Sequence, residues 1–128
     1  MASSEAEILR WCIEAFNRGD LDATLEFFDP DIVVHDPVRT GTTLRGHDAL
    51  RRFFVEWLEN WEQYQVEPKE FVEADDAMLV ACDQRGVVSG IELQEDLFLV
   101  FTLHAGKIVG LTIHAEREQA ERSVGLAG

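Results

Sequence analysis

Residues 46–73 read GHDALRRFFVEWLENWEQYQVEPKEFVE, and the period of the apolar positions changes inside this one stretch. Leu50, Phe53, Phe54, Trp57, Leu58 and Trp61 recur at helical spacing, while Arg51, Arg52, Glu56 and Glu59 stay polar. That pattern predicts an amphipathic helix after Gly46. From Tyr64 onward the period falls to about two, which is the alternation of a strand. A strong helix that hands over to strands points to a mixed α+β chain.

Downstream, the alternation predicts strands near 64–73, 77–88, 92–103 and 107–115. Asp75-Asp76, Ser89-Gly90 and the HAG at 104–106 are the turns between them. At Pro68 the alternation slips parity, so a bulge or a sheet edge is expected there. Upstream, Ser4 and Glu7 form a capping box ahead of a stripe of Ile8, Leu9, Cys12, Ile13 and Phe16. Gly19 ends that helix. Asp20 caps a short second one, whose inner face is Leu21, Leu25 and Phe28. The DPD at 29–31 reads as a turn. A short strand over 32–36 follows and Pro37 stops it.

The expected fold is therefore α+β, a cone-shaped roll. Three N-terminal helices with one embedded short strand pack on a curved, mostly antiparallel sheet. The chain, residues 1–128, reads as a single domain without repeats or linkers. A cone lined by Phe and Trp suits a small apolar ligand. The tail is expected to hold one or two helical turns and then fray.

Composition narrows the function classes. Apolar residues make up 46% of the chain, which argues against disorder. With 25 acidic and 11 basic residues the net charge is −14. Nucleic acids and anionic membranes would be repelled. Cys12 and Cys82 sit in apolar patterns and read as reduced, buried thiols of a cytoplasmic protein. No Cys or His spacing suggests a metal site, and no phosphate-binding glycine loop implies a nucleotide. No cofactor is expected.

Three segments, AFNRGDLDATLEFFDPDIVVHDP (15–37), LRGHDALRRFFVEWLENW (44–61) and FTLHAGKIV (101–109), resemble the SnoaL-like, ketosteroid isomerase-like group of the nuclear transport factor 2-like superfamily. The resemblance runs from about Glu5 to Leu126. It implies the cone fold and a homodimer paired through the outer sheet face. It also implies a general base at Asp36, the acid that ends the first strand ahead of Pro37. The two oxyanion donors that the resemblance implies are not matched: their positions fall on Cys12 and near Leu97, and that of a second Tyr supporting the first falls on Phe54. Loss of one such donor costs about 3–4 kcal/mol of transition-state stabilisation.

Several side-chain directions carry the functional readings. Ile32, Val34 and Asp36 share one face of their strand, and Val33 and His35 the other. An inward Asp36 is a desolvated base; an outward one is a strand-end cap in water. Asp83 and Arg85 also share a face. Limonene epoxide hydrolases, on a similar fold, use an Arg-x-Asp pair that is reversed here, so an inward Asp83–Arg85 pair would support epoxide hydrolysis. The alternative is a solvated pair on the outer face. Glu95 and Asp96 read as a solvated strand entry, with one of the two able to face inward. His47 and His104 read as solvated, and His114 as lying on the outer sheet face. The expected cavity lining is Cys12, Phe16, Val34, Phe54, Trp57, Trp61, Cys82, Leu97, Leu99, Phe101, Leu111 and Ile113. Three functions follow: an isomerase or cyclase that moves a proton next to a carbonyl, a non-catalytic module that binds a hydrophobic small molecule or dimerises, and an epoxide hydrolase.

Overall fold

The helix read from Leu50 to Trp61 is α3, Gly46–Glu59, and Trp61 lies just beyond its end. A computed structural model describes residues 4–36 and 41–125, so Pro37 lies outside the described residues. Ahead of α3 come α1 (Ser4–Asn17), α2 (Leu21–Leu25), β1 (Phe28–Asp36) and β2 (Thr42–Arg45). After it come β3 (Glu62–Glu73), β4 (Met78–Val88), β5 (Ile91–His104), β6 (Lys107–His114) and α4 (Arg117–Ser123). The Asp20 side chain caps α2 by accepting from the Ala23 amide at 3.0 Å.

The six strands form one sheet in the order β2-β1-β6-β5-β4-β3. Among the described residues β1 and β6 pair parallel, and the other four pairs are antiparallel. Two features differ from the reading of the sequence. The first strand begins at Phe28 rather than Ile32. Asp29-Pro30-Asp31 is an irregularity within it, marked by a register shift between Phe28 and Val33, and the Asp29 carboxylate accepts from the Asp31 amide at 2.8 Å. The second feature is β2, an added edge strand that pairs antiparallel with β1. Its four residues, TTLR, are too few to display a period.

Pro68 sits on the edge strand β3, and the β3–β4 register shifts between Pro68 and Glu70. Both expectations for that proline therefore hold. The hairpin turns place Ser89 and Gly90 at φ 51° and 80°, and Ala105 and Gly106 at 51° and 80°. Consecutive positive φ values match the right-handed twist of two-residue hairpins.

Sheet parity divides the core in two. On the concave face, Ile32, Val34, Val66, Met78, Val80, Cys82, Leu99, Phe101 and Leu111 pack with Leu9, Cys12 and Ile13 of α1 and with Leu50 and Phe54 of α3. On the convex face, Leu79, Ala81, Phe98 and Val100 pack under Ala120 of α4. Asn17 at the end of α1 fastens the helical layer to the edge of the sheet. Its amide donates to the Val66 carbonyl at 2.7 Å and accepts from the Val66 amide at 2.9 Å. His47 makes a second tie, with Nε2 2.8 Å from the Phe28 carbonyl. The expectation that His47 is solvated is corrected by that contact.

Candidate functional site

The helical layer does not fill the concave face. A cavity of about 330 Å³ remains, and helices and strands both contribute to its wall. Cys12, Ile13 and Phe16 come from α1, Thr24 from α2, and Phe53, Phe54 and Trp57 from α3. The sheet supplies Phe28, Tyr64, Val66, Gln84, Leu97, Leu99, Phe101, Leu111 and Ile113, with Ala115 just past β6. Glu95 and Asp96, both exposed, complete the rim.

The aromatic wall is locked edge to face. Phe16 meets Phe54 with centroids 5.0 Å apart and Tyr64 at 6.1 Å, and Trp57 meets Tyr64 at 5.8 Å and 89°. Such pairs hold ring orientations beyond what area burial alone would do. Of the expected lining, Cys12, Phe16, Phe54, Trp57, Leu97, Leu99, Phe101, Leu111 and Ile113 do line the cavity.

Three expected lining residues do not. Val34 and Cys82 have the right parity, but they are packed solid in the concave core at 1% and 2% exposure. Parity reports the face of a sheet; where the helices leave a gap over that face is a property of three-dimensional packing. Trp61 lies over Gly86 instead, with its ring centroid 5.0 Å from that of Tyr64. It supports the wall from behind.

The polar feature of the cavity escaped the sequence reading. Tyr64 donates its hydroxyl to Gln84 Oε1 at 2.6 Å, and both residues are buried. That bond leaves the Gln84 Nε2 hydrogens as a neutral donor in a mostly carbon-lined wall. Gln84 lies within the DQR segment, between the two charged residues that drew attention. Alternation from Val66, its direct partner on β3, could have placed it inward. Thr24 adds no donor, because its hydroxyl already donates to the Asp20 carbonyl at 2.8 Å. Burial pushes the Cys12 thiol up to about 12, so Cys12 faces the cavity as a thiol rather than a thiolate.

Asp36 is 1% exposed and shares its strand face with Ile32 and Val34, as the inward reading requires. His35, exposed on the other face, stands 3.2 Å from the Thr43 hydroxyl. Asp36 is not among the residues that line the cavity. The β1–β6 register pairs Val34 with Leu111 and His35 with Thr112, so the next step puts Asp36 beside Ile113, which does line it.

Asp83 and Arg85 alternate with Cys82 and Gln84, and so face the convex side. Asp83 accepts from Gln94 at 2.8 Å and lies 4.0 Å from Arg85, whose other contact is Glu67 at 3.1 Å. An epoxide-hydrolysing pair would have to face the cavity, so these two residues cannot serve that role. The expectation of a solvated pair needs a correction too: Asp83 is buried, screened by Gln94 and Arg85. His114 lies on the outer face opposite Phe98, as expected. Among the described residues, no group of three His, Cys, Asp or Glu could hold a metal ion, and no helix is long and apolar enough to cross a membrane.

The model of the SnoaL-like domain family matches residues 8–111 of this chain. No curated protein matches it. Among solved structures, a candidate polyketide cyclase from Sinorhizobium meliloti is 30% identical, with a TM-score of 0.72 over 84% of this chain and 94% of its own. A nuclear transport factor 2-like protein of unknown function from Burkholderia pseudomallei is 23% identical, with a TM-score of 0.78 over 96% of this chain and 98% of its own. TerC, co-crystallised with polyporic acid, is 20% identical, with a TM-score of 0.80 over 95% of this chain and 98% of its own.

Proposed function

This chain belongs to the SnoaL-like family of the nuclear transport factor 2-like superfamily, and we propose that its cavity binds an uncharged, largely apolar small molecule through one carbonyl or hydroxyl oxygen. The observation that carries this is the Tyr64–Gln84 pair set in an aromatic wall. A cavity of about 330 Å³ is at the small end of ligand pockets. Among the described residues its lining has one buried neutral donor and no buried cation, which suits a ligand oxygen better than a carboxylate or phosphate. Tyr64 holds the Gln84 amide in place before a ligand arrives, so little ordering is left to the binding step.

The test compares 4-phenylbutan-2-one with butylbenzene by tryptophan fluorescence titration and by thermal shift. The ketone is expected to bind about tenfold more tightly, and Gln84→Leu to remove the difference, as a hydrogen bond of ordinary net strength implies. Equal binding of the two compounds to the wild type would overturn the proposal.

A second reading adds chemistry: proton transfer at a carbon next to that carbonyl, as in isomerases and cyclases, with Asp36 as general base. Its support is the burial of Asp36 on the concave face, one register step from the cavity residue Ile113. Hydrogen–deuterium exchange at the α-carbons of the bound ketone, followed by NMR in D₂O, is expected to be faster with the wild type than with Asp36→Asn. Identical rates would remove the base and leave a binding module. The proposal further takes the chain as one domain that pairs through its outer sheet face, which sedimentation equilibrium checks.

A further inference from the structure

The strand register pairs Gln84 of β4 directly with Glu95 of β5. Both line the cavity, Gln84 buried within the wall and Glu95 exposed at the rim. Side chains of directly opposed residues on one sheet face have Cβ atoms about 5 Å apart. A donor-presenting amide and an acceptor-only carboxylate therefore stand side by side at the cavity mouth. Tyr64 engages the Gln84 carbonyl oxygen and fixes the amide, so its Nε2 hydrogens are the group left to meet a ligand.

From this juxtaposition we infer that Glu95 is a specificity-determining residue, and that the preferred ligand class is the hydroxy ketone: a carbonyl oxygen on the Gln84 amide with a neighbouring hydroxyl donating to Glu95. The inference rests on the proposed binding of a ligand oxygen by Gln84. A simple ketone satisfies only half of the pair. A ligand that places an ether oxygen or a carboxylate at the same point sets lone pairs against the Glu95 oxygens, and is disfavoured. The apolar remainder of the molecule lies inward, against Phe54, Trp57 and Phe101. The carboxylate thus sorts ligands by whether they carry a proton to donate, in a way that the carbon-lined interior cannot.

The experiment uses three probes, 4-phenylbutan-2-one, 4-hydroxy-4-phenylbutan-2-one and 4-methoxy-4-phenylbutan-2-one, titrated into the full chain. The hydroxy ketone is expected to bind about tenfold more tightly than its methyl ether, the strength of a hydrogen bond to a charged acceptor that is partly exposed. Glu95→Ala is expected to abolish that preference and leave the affinity for 4-phenylbutan-2-one unchanged. Glu95→Gln, which keeps an acceptor oxygen, is expected to retain part of it. Asp75→Asn, the same charge change in the turn between β3 and β4, is the control and is expected to leave the preference intact. Equal affinities for hydroxy ketone and methyl ether, or a preference that survives Glu95→Ala, would overturn the assignment of Glu95 alone. Failure of the simple ketone to bind better than butylbenzene would remove the role of Gln84, and this inference with it.

Discussion

The six-membered ring of Trp61 occupies the place where residue 86 would carry a side chain: an ideal Cβ built on Gly86 falls 2.5 Å from Trp61 Cε3 and 3.2 Å from the Glu62 carbonyl. The glycine lets the indole lie flat on β4. From there Trp61 abuts Tyr64, and Tyr64 holds Gln84. A residue with no side chain is in this way the far end of a chain of contacts that reaches the cavity.

Gly86→Ala should therefore displace the indole. Forced overpacking of this kind costs about 1–3 kcal/mol. Urea denaturation monitored by tryptophan fluorescence is the measurement, with a lower midpoint and an altered native spectrum expected. Adding Trp61→Ala should make the alanine at 86 nearly silent, because the colliding atoms are gone. If Gly86→Ala costs the same with or without the indole, the contact is not what sets its effect.

The Tyr64–Gln84 bond predicts a non-additive pair. Tyr64→Phe leaves the buried Gln84 carbonyl without its donor, which costs about 1–3 kcal/mol. In a Gln84→Leu background the same change should cost far less, since no polar atom is stranded. A double-mutant cycle by chemical denaturation reads the coupling directly. Additive effects would show that the bond is not formed in solution.

His114 predicts a pH dependence. Its Nε2 is buried without a hydrogen-bond partner among the described residues. Burial first, and the nearby His35 second, lower its pKa from the ordinary 6.5. The unfolded chain therefore binds this proton more readily than the native one. The contribution of His114 to stability is complete above pH 6.5 and is lost as the pH falls below that value toward the lowered native pKa. The urea midpoint should drop from pH 7.5 to pH 5.5 in the wild type, and the drop should be smaller in His114→Phe. Identical profiles would mean that the imidazole is not desolvated.

Both thiols are pushed up to about 12 by burial. At pH 8 only about one part in ten thousand of each is thiolate, the reactive form. Ellman's reagent should leave the native protein untouched for hours and label Cys12 and Cys82 at once in 6 M guanidinium. Fast labelling of Cys12 alone in the native state would show that the cavity admits the reagent. A small apolar ligand should then slow that labelling.

Most of the fold was legible because the protein states it in periods. The stripe from Leu50 to Trp61 and the alternation from Tyr64 onward mark α3 and the long strands, and Ser89-Gly90 and Ala105-Gly106 mark their turns. β2 was not legible, because four residues carry no period and a strand of that length exists only through its partner β1. At the site, alternation set Asp36 on the face of Ile32 and Val34 and His35 on the other, and the structure shows that the first face is the buried one. It could not tell the inner face for Asp83 and Arg85, since the run MLVACD is buried on both faces of β4 and shows no contrast between them.

The sequence by itself determined the long helices and long strands, and which residues within each share a face, because those properties depend on neighbours within a few positions. Only the tertiary structure decided where the helical layer leaves the sheet uncovered. It packed Val34 and Cys82 into the core, set Trp61 on Gly86, and brought Tyr64, Gln84 and Glu95 from three strands to one cavity wall. Those three meet through strand register, which is set by pairings between segments distant in the chain and leaves no trace in the local pattern of any one of them.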